Sequence, residues 1–238
     1  MEKLNLLFTR DGLIYQVLRN KSVLSESSFF VSEEMPEQSI SSKLSEILQT
    51  KFSSVSVLSA LNHFTLMPEG FDRHDLGQDL ISFNSPVQPE GEELMLSINK
   101  KYKVQFYYTF PKDLYTLIKQ THIPAQFNFS GEKFLNTISP KGGKEIHINL
   151  YNNQCEFFAL ESRKVVLYNN LDVNSEVDFL YFIMFSLSKI GFGLGETRFF
   201  VYGETSENET FISELQKFVK NLKIVFDNLP KRKFLVNS

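Results

Sequence analysis

The sequence predicts an α/β chain with mixed sheets, built from two halves that each run β-β-β-α-β-α-β. Three observations predict it. Stretches of strand-like alternation and helix-like periodicity follow one another along the whole chain, their order occurs twice, and Ser139-Pro-Lys-Gly-Gly-Lys144 punctuates the passage between the two occurrences. Cutting there gives a first subdomain over 1–140, with a surface excursion near 71–93, and a second over 145–238, related as an internal structural repeat.

In the first half, Leu4 to Phe8 and Leu13 to Leu18 read as strands, and Arg10-Asp11-Gly12 reads as the tight turn between them, because Asp-Gly between strand-like runs favours a hairpin. Val23 to Val31 follows as a third strand. Pro36 suits the first turn of a helix, and Ile40, Leu44, Ile47 and Leu48 recur at i, i+4, i+7 and i+8. Ser53 to Ser59 alternates as the next strand. Phe71 to Glu93 is rich in Asp, Glu, Gly and Pro and is expected at the surface, with a short strand at Leu80 to Phe83. Tyr102 to Tyr108 closes the half as a strand, and Pro111 precedes a short helix carrying Leu114, Leu117 and Ile118.

The second half repeats the order. Ile146 to Tyr151, Cys155 to Leu160 and Val165 to Tyr168 read as strands, with Asn152-Asn153 as the first turn. Ser175 with Asp178 predicts a helix start, Gly191 predicts its stop, and Thr197 to Tyr202 is the next strand. Ser206 with Glu209 resembles a capping box. Phe211, Leu215, Phe218, Val219 and Leu222 then form an amphipathic stripe, followed by Ile224 to Phe226 as a strand.

Composition narrows the function classes. Of 238 residues, 42% are apolar and 22% charged, which is ordinary for a folded protein. The net charge of −3 supplies no positive field toward phosphate backbones, so nucleic acid is not favoured as a partner. Lys217, Lys220, Lys223, Lys231, Arg232 and Lys233 crowd the end and read as a solvated helix face and tail rather than an RNA contact. The one cysteine, Cys155, leaves no internal disulfide and no cysteine-rich zinc site, which points to a reducing, cytoplasmic compartment. Met1 runs into Leu4-Asn-Leu-Leu-Phe8 without a signal-peptide layout, so the sequons at Asn128 and Asn208 are read as accidental. The longest apolar run, Phe179 to Phe185, falls short of the roughly 20 residues that cross a bilayer, so no membrane insertion is expected. Apolar on every helical face, it reads as a core helix, with an exposed side as the rival reading.

Isolated motifs yield to simpler readings. Gly191-Phe-Gly-Leu-Gly195 has the outline of a dinucleotide fingerprint, but it closes a helix instead of opening one. Gly142-Gly143 lacks the downstream Lys-Ser or Lys-Thr of a phosphate loop. His63, His74, His122 and His147 show no i, i+3 or i+4 spacing for a metal, and Asp72-Arg-His-Asp75 reads as a solvated loop. Cys155, with no His near it in sequence, reads as a packing residue.

The order of elements resembles that of the actin-like ATPase superfamily, whose two ribonuclease H-like halves hold a nucleotide between them. Phe64-Thr-Leu-Met-Pro-Glu69, Asp178-Phe-Leu-Tyr-Phe182 and Phe199-Phe-Val-Tyr-Gly-Glu204 resemble an uncharacterised bacterial family of similar length with that fold, and more remotely the pilus-assembly ATPase PilM and its secretion-platform relatives. The resemblance implies two phosphate-binding hairpins, an adenosine loop and a Mg-ATP cofactor. On this chain those positions are Asp11 and Gly12 in the first hairpin, Asn149 and Asn152 in the second, and Gly203 in the adenosine loop. Each departs from the superfamily's pattern. Asp11 directly precedes its glycine, Asn149 is a neutral amide that cannot hold Mg²⁺ or take a proton as an Asp can, and Gly203 is followed by Glu204 where a second glycine is usual. The reading therefore leans away from an enzyme, with no catalytic residue, no metal site and no cofactor assigned. It favours a catalytically silent actin-like module acting through protein contacts, as a homodimer or with another protein. A divergent nucleotide-binding ATPase or sugar-kinase-like phosphotransferase is the alternative.

Overall fold

The computed structural model describes residues 2–20, 22–31, 39–71, 73–85, 90–151, 154–205 and 209–225. They fall into two compact units, one reaching Lys133 and the other beginning at Phe134.

The first unit opens with a meander of β1 (Glu2–Thr9), β2 (Gly12–Arg19) and β3 (Ser22–Phe30). Thr9 pairs with Gly12, so Arg10 and Asp11 are the two turn residues and Gly12 is the first residue of β2. The glycine is needed for space, because a Cβ there would overlap the carbonyl oxygen of Phe29 and the ring of Phe30 on β3. Helix α1 (Ile40–Leu48) starts at Ser39, whose hydroxyl accepts from the Ser42 amide while the Ser42 hydroxyl accepts from the Ser39 amide. It buries Leu44 and Ile47. The expectation for Pro36 lies outside the described residues. β4 (Ser54–Ser59) returns parallel to β1.

The region between β4 and the end of this unit departs from the sequence expectation. β5 (Phe64–Pro68), β6 (Glu92–Asn99) and β7 (Val104–Pro111) form their own antiparallel sheet in the order β5-β7-β6. The strand expected at Tyr102 to Tyr108 thus exists, but in a second sheet. Its side chains are buried on both faces, and such a pattern does not say which sheet a strand joins. The strand expected at Leu80 to Phe83 is instead part of α2 (Gly77–Ser82), entered from a 3₁₀ turn at His74–Leu76. Ile81 is fully buried, and Gly77 lies so close that a Cβ would stand 2.8 Å from Leu94 and 3.1 Å from Tyr107, so packing against β6 and β7 overrides the local β-propensity. Helix α3 (Lys112–Gln120) buries Leu114 and Ile118 and leads into β8 (Ala125–Phe129), parallel to β4. The main sheet is therefore β3-β2-β1-β4-β8. One face carries Leu4, Leu6, Phe8, Val55 and Val57 against α1 and α3.

After α4 (Ser130–Thr137), the second unit forms β9 (Lys144–Tyr151), β10 (Gln154–Glu161) and β11 (Lys164–Asp172). The expected Asn152-Asn153 turn lies outside the described residues. Helix α5 (Glu176–Ile190) begins where Ser175 Oγ accepts from the Asp178 amide and ends at Gly191 with φ 70°. β12 (Arg198–Gly203), α6 (Glu209–Gln216) and β13 (Leu222–Ile224) complete the unit. Ser206 and Phe226, named in the expected cap and last strand, lie outside the described residues. The sheet order is β11-β10-β9-β12-β13, the same arrangement as β3-β2-β1-β4-β8, with the outer two strands parallel to the centre in both. Ile146, Ile148, Leu150, Phe199 and Val201 pack with Phe179, Ile183 and Leu187 of α5 and Ile212 and Leu215 of α6.

The run from Phe179 to Phe185 is not all core. Phe179 and Ile183 are buried, whereas Tyr181 is 59% and Phe185 47% exposed. Among the described residues, no helix is long and apolar enough to cross a membrane.

The Gly12→Ala variant is expected to lose about 1 to 3 kcal/mol of stability, because the Phe29 carbonyl belongs to the backbone of the neighbouring strand and moves only if β3 shifts. Urea unfolding followed by circular dichroism measures it. A midpoint equal to that of the parent protein would show that β2 and β3 do not approach as closely as described.

Candidate functional site

Strand β9 turns Ile146, Ile148 and Leu150 toward the helices, so by the two-residue period Glu145, His147 and Asn149 face the other way. They are buried nonetheless, at 0%, 1% and 4% exposure. Buried polar groups need partners, and the neighbouring strands provide them in two rows.

The first row runs Asn170–Glu156–Asn149–Tyr202 across β11, β10, β9 and β12 by register. Glu156, wholly buried, accepts from Asn149 Nδ2 at 3.2 Å and from the Tyr168 hydroxyl at 3.0 Å. The second row is centred on His147, whose ring stacks on Phe200 with centroids 4.8 Å apart and planes 10° apart. Burial, with Arg198 nearby, pushes its pKa down to about 3, so the ring is neutral near pH 7. Nδ1 lies 3.0 Å from the Tyr202 hydroxyl and Nε2 lies 3.4 Å from Glu145 Oε2. A neutral ring meets both if Tyr202 donates to Nδ1 and Nε2–H points at the carboxylate, an assignment made from the partners. Glu145 also accepts from Arg198 at 2.6 Å and from the Lys141 amide at 2.9 Å.

The five expected site residues divide between the units. Asp11 is an exposed turn residue whose carboxylate lies 3.8 Å from Arg10 Nε, and Gly12 is held by packing against β3. Asn149 and Gly203 are brought together at one end of the β9–β12 pair. Gly203 has φ +85°, and a Cβ on it would overlap the Leu150 carbonyl oxygen and lie 2.7 Å from Asn149 Oδ1. Its glycine is thus explained by the protein's own backbone. Asn152 lies outside the described residues. Sequence reasoning passed over Glu145, Glu156, Arg198 and Tyr202 and weighed His147 only for metal spacing. The available signal was polar residues recurring every second position within strands whose other face is wholly apolar.

A second polar cluster occupies the first unit. Glu132 accepts from Asn99 Nδ2 and Asn128 Nδ2, each at 3.1 Å, so the Asn128 sequon side chain is engaged inside the protein. His63 contacts Glu92 at 3.1 Å and His74 contacts the Tyr107 hydroxyl at 2.7 Å. Asp72 lies outside the described residues, and its neighbours Arg73 and Asp75 pair with each other at 2.9 Å. Among the described residues, no group of three or more His, Cys, Asp or Glu is placed to hold a metal ion. Burial pushes the Cys155 thiol well above its ordinary range, which keeps it protonated. Lys217 pairs with Glu214, while Lys231, Arg232 and Lys233 lie outside the described residues. A shallow groove of about 820 Å³ beside α1 and α3 is lined by Ser41, Lys112, Asp113 and Thr116, and Ser41 donates to Asp113 across it at 2.9 Å.

A family described as a protein of unknown function, DUF3822, matches residues 1–222. The chain belongs to that family. This DUF3822 protein is similar in structure to a Bacteroides thetaiotaomicron protein with an actin-like ATPase fold and unknown function, with a TM-score of 0.80 at 19% identity over 94% of this chain and 90% of that one. The PilM–PilN type IV pilus biogenesis complex matches with a TM-score of 0.60 at 12% identity, covering 99% and 94% of the two chains. The cytoplasmic domain of EpsL, an inner membrane component of the Vibrio cholerae type II secretion system, gives 0.56 at 10% identity, covering 100% and 93%. At these identities the likeness establishes an actin-like ATPase fold, in agreement with the family resemblance read from the sequence. No curated protein matches this DUF3822 sequence.

The depressed pKa of His147 has a definite sign in stability. Unfolded, His147 takes up a proton below about pH 6.5; folded, it does so only near pH 3. Its contribution is complete above the unfolded pKa and falls as pH drops from 6.5 toward 3, by about 1.4 kcal/mol per pH unit. Urea unfolding across this window should show a His147→Gln variant with a slope shallower by one proton. Parallel slopes would place a charged or solvated ring at this position.

Proposed function

We propose that this DUF3822 protein is a catalytically silent actin-like module that acts through protein–protein contacts in a reducing, cytoplasmic compartment. The observation that carries the reading is the engagement of Asn149. It stands where the superfamily's second hairpin would present a carboxylate to metal or water, and its amide nitrogen donates to the buried Glu156. Moving it to a ligand would leave that carboxylate short of a donor in a low-dielectric site, which costs on the order of 1 to 3 kcal/mol.

Two further features support the same reading. Gly203, at the adenosine-loop position, is accounted for by its φ of +85° and the nearness of Leu150 and Asn149. Asp11, at the first phosphate-loop position, is a turn residue beside Arg10. Shared fold with PilM, found in a complex with PilN, and with a domain of the secretion component EpsL is in keeping with a role in assembly rather than turnover.

Thermal unfolding with and without millimolar Mg-ATP tests the proposal. A ligand at about 100 times its Kd adds roughly 2.7 kcal/mol, or several degrees in a chain of this size. The expected result is an unchanged midpoint. A rise of several degrees that requires Mg²⁺, together with phosphate release abolished by Asp11→Ala, would overturn the silent module in favour of a divergent ATPase or sugar-kinase-like phosphotransferase.

A further inference from the structure

Resting on the reading of this chain as an interaction module, we propose that the outer face of α5 is a self-association surface whose occupant is a second copy of the same chain, packed antiparallel. The helix has two opposed ridges. Phe179, Ile183 and Leu187 form the buried one. Val177, Tyr181 and Phe185, each four residues from the next and therefore in line, form the other, at 74%, 59% and 47% exposure. A solvated helix face is ordinarily charged. Between Asp178 and Lys189 this helix has no charged residue at all.

The ridge is ordered before any partner arrives. The Tyr181 and Phe185 rings stack with centroids 5.7 Å apart and planes 19° apart, and Lys189 Nζ sits 5.1 Å over the Phe185 ring. Side chains already held in one arrangement lose less freedom on association.

Charge placement selects the occupant and its direction. The first turn of α5 carries Glu176 and Asp178 and the last turn carries Lys189. On the helical wheel, Asp178 and Lys189 flank the apolar ridge on the same side. A two-fold axis that turns one copy end for end lays ridge on ridge, sets Lys189 of each copy beside the acidic first turn of the other, and opposes the helix dipoles. A parallel pairing would send the Asp178 and Lys189 side of one copy to the edge opposite that of the other, bring none of these charges into cross-copy pairs, and align the helix dipoles. The face is thus charge-complementary to itself when the two helices run antiparallel.

The ridge offers on the order of 300 Å² per copy, well below the roughly 800 Å² per partner of a tight interface. The pairing is therefore weak and concentration-dependent.

Sedimentation equilibrium of the full chain from about 1 μM to 1 mM reads it directly. The expected result is a monomer–dimer equilibrium that Tyr181→Asp weakens about 30-fold or more, with the circular dichroism spectrum unchanged because Tyr181 lies outside the core. Direction is tested by charge reversal. Lys189→Glu alone and Asp178→Lys alone should each be less dimeric than the parent, and an equimolar mixture of the two should recover dimer, since both cross-copy pairs are then opposite in sign. These two variants also keep the test decisive if Tyr181→Asp does not fold. A chain that is monomeric throughout the range, a dimer indifferent to Tyr181→Asp, or a mixture that recovers nothing would overturn the proposal. Any of these outcomes leaves the result with Mg-ATP untouched, so the two readings fail separately.

Discussion

Strand β9 is buried on both faces along nearly all of its length, and much of the second unit follows from that. A strand in the middle of a sheet with parallel and antiparallel neighbours has its backbone satisfied on both sides. Its side chains must then be either apolar or internally paired. Ile146, Ile148 and Leu150 take the first course against α5 and α6, and Glu145, His147 and Asn149 take the second. Each of Glu145, His147 and Asn149 has at least one partner on a different strand. Arg198 on β12 meets Glu145, Tyr202 on β12 meets His147, and Glu156 on β10 meets Asn149. The register of three strands is thereby specified by hydrogen bonds as well as by packing, since a one-residue slip would turn the carboxylates into the helix-covered core.

A buried Glu beside a neutral His and a Tyr is a grouping that catalytic sites also use. Here each group is engaged with another side chain of the same cluster, and His147 lies flat on Phe200. Held this way the groups fix one arrangement of strands. Low dielectric makes such networks costly to disturb when their members are satisfied, which accounts for their position at the sheet centre rather than at its rim. The first unit solves the equivalent problem with Glu132 between Asn99 and Asn128.

Much of the fold was legible because it is written in local signals. The hairpin of β1 and β2, the apolar spacing of α1, and the start of α5 at Ser175 and its stop at Gly191 each depend on a few neighbouring residues and occur where the sequence places them. Where the structure departs from expectation, a distant contact intervened. The segment at Leu80 to Phe83 is helical because Gly77 packs against Leu94 of β6 and Tyr107 of β7 and Ile81 is fully buried. β7 belongs to a separate sheet because it pairs with its neighbour β6 along one edge and with β5, far from it in sequence, along the other. Of the site positions, Asn149 and Gly203 were individually visible as departures from a motif. Their meeting, and the presence of Glu156, Tyr202 and Arg198 around them, were not, because strand register is a tertiary property.

By itself, then, the sequence determined the α/β class and the recurrence of three antiparallel strands followed by a helix and a parallel strand, because each is a matter of composition or short-range periodicity. Only the tertiary structure decided which sheet β7 joins, why Gly12 and Gly203 must be glycine, and which carboxylate Asn149 serves. It also decided that Tyr181 and Phe185 stand on the outside of a helix whose sequence is apolar all round. These are outcomes of which strand lies beside which and what each face meets, and no stretch of chain carries that information until the strands are brought together.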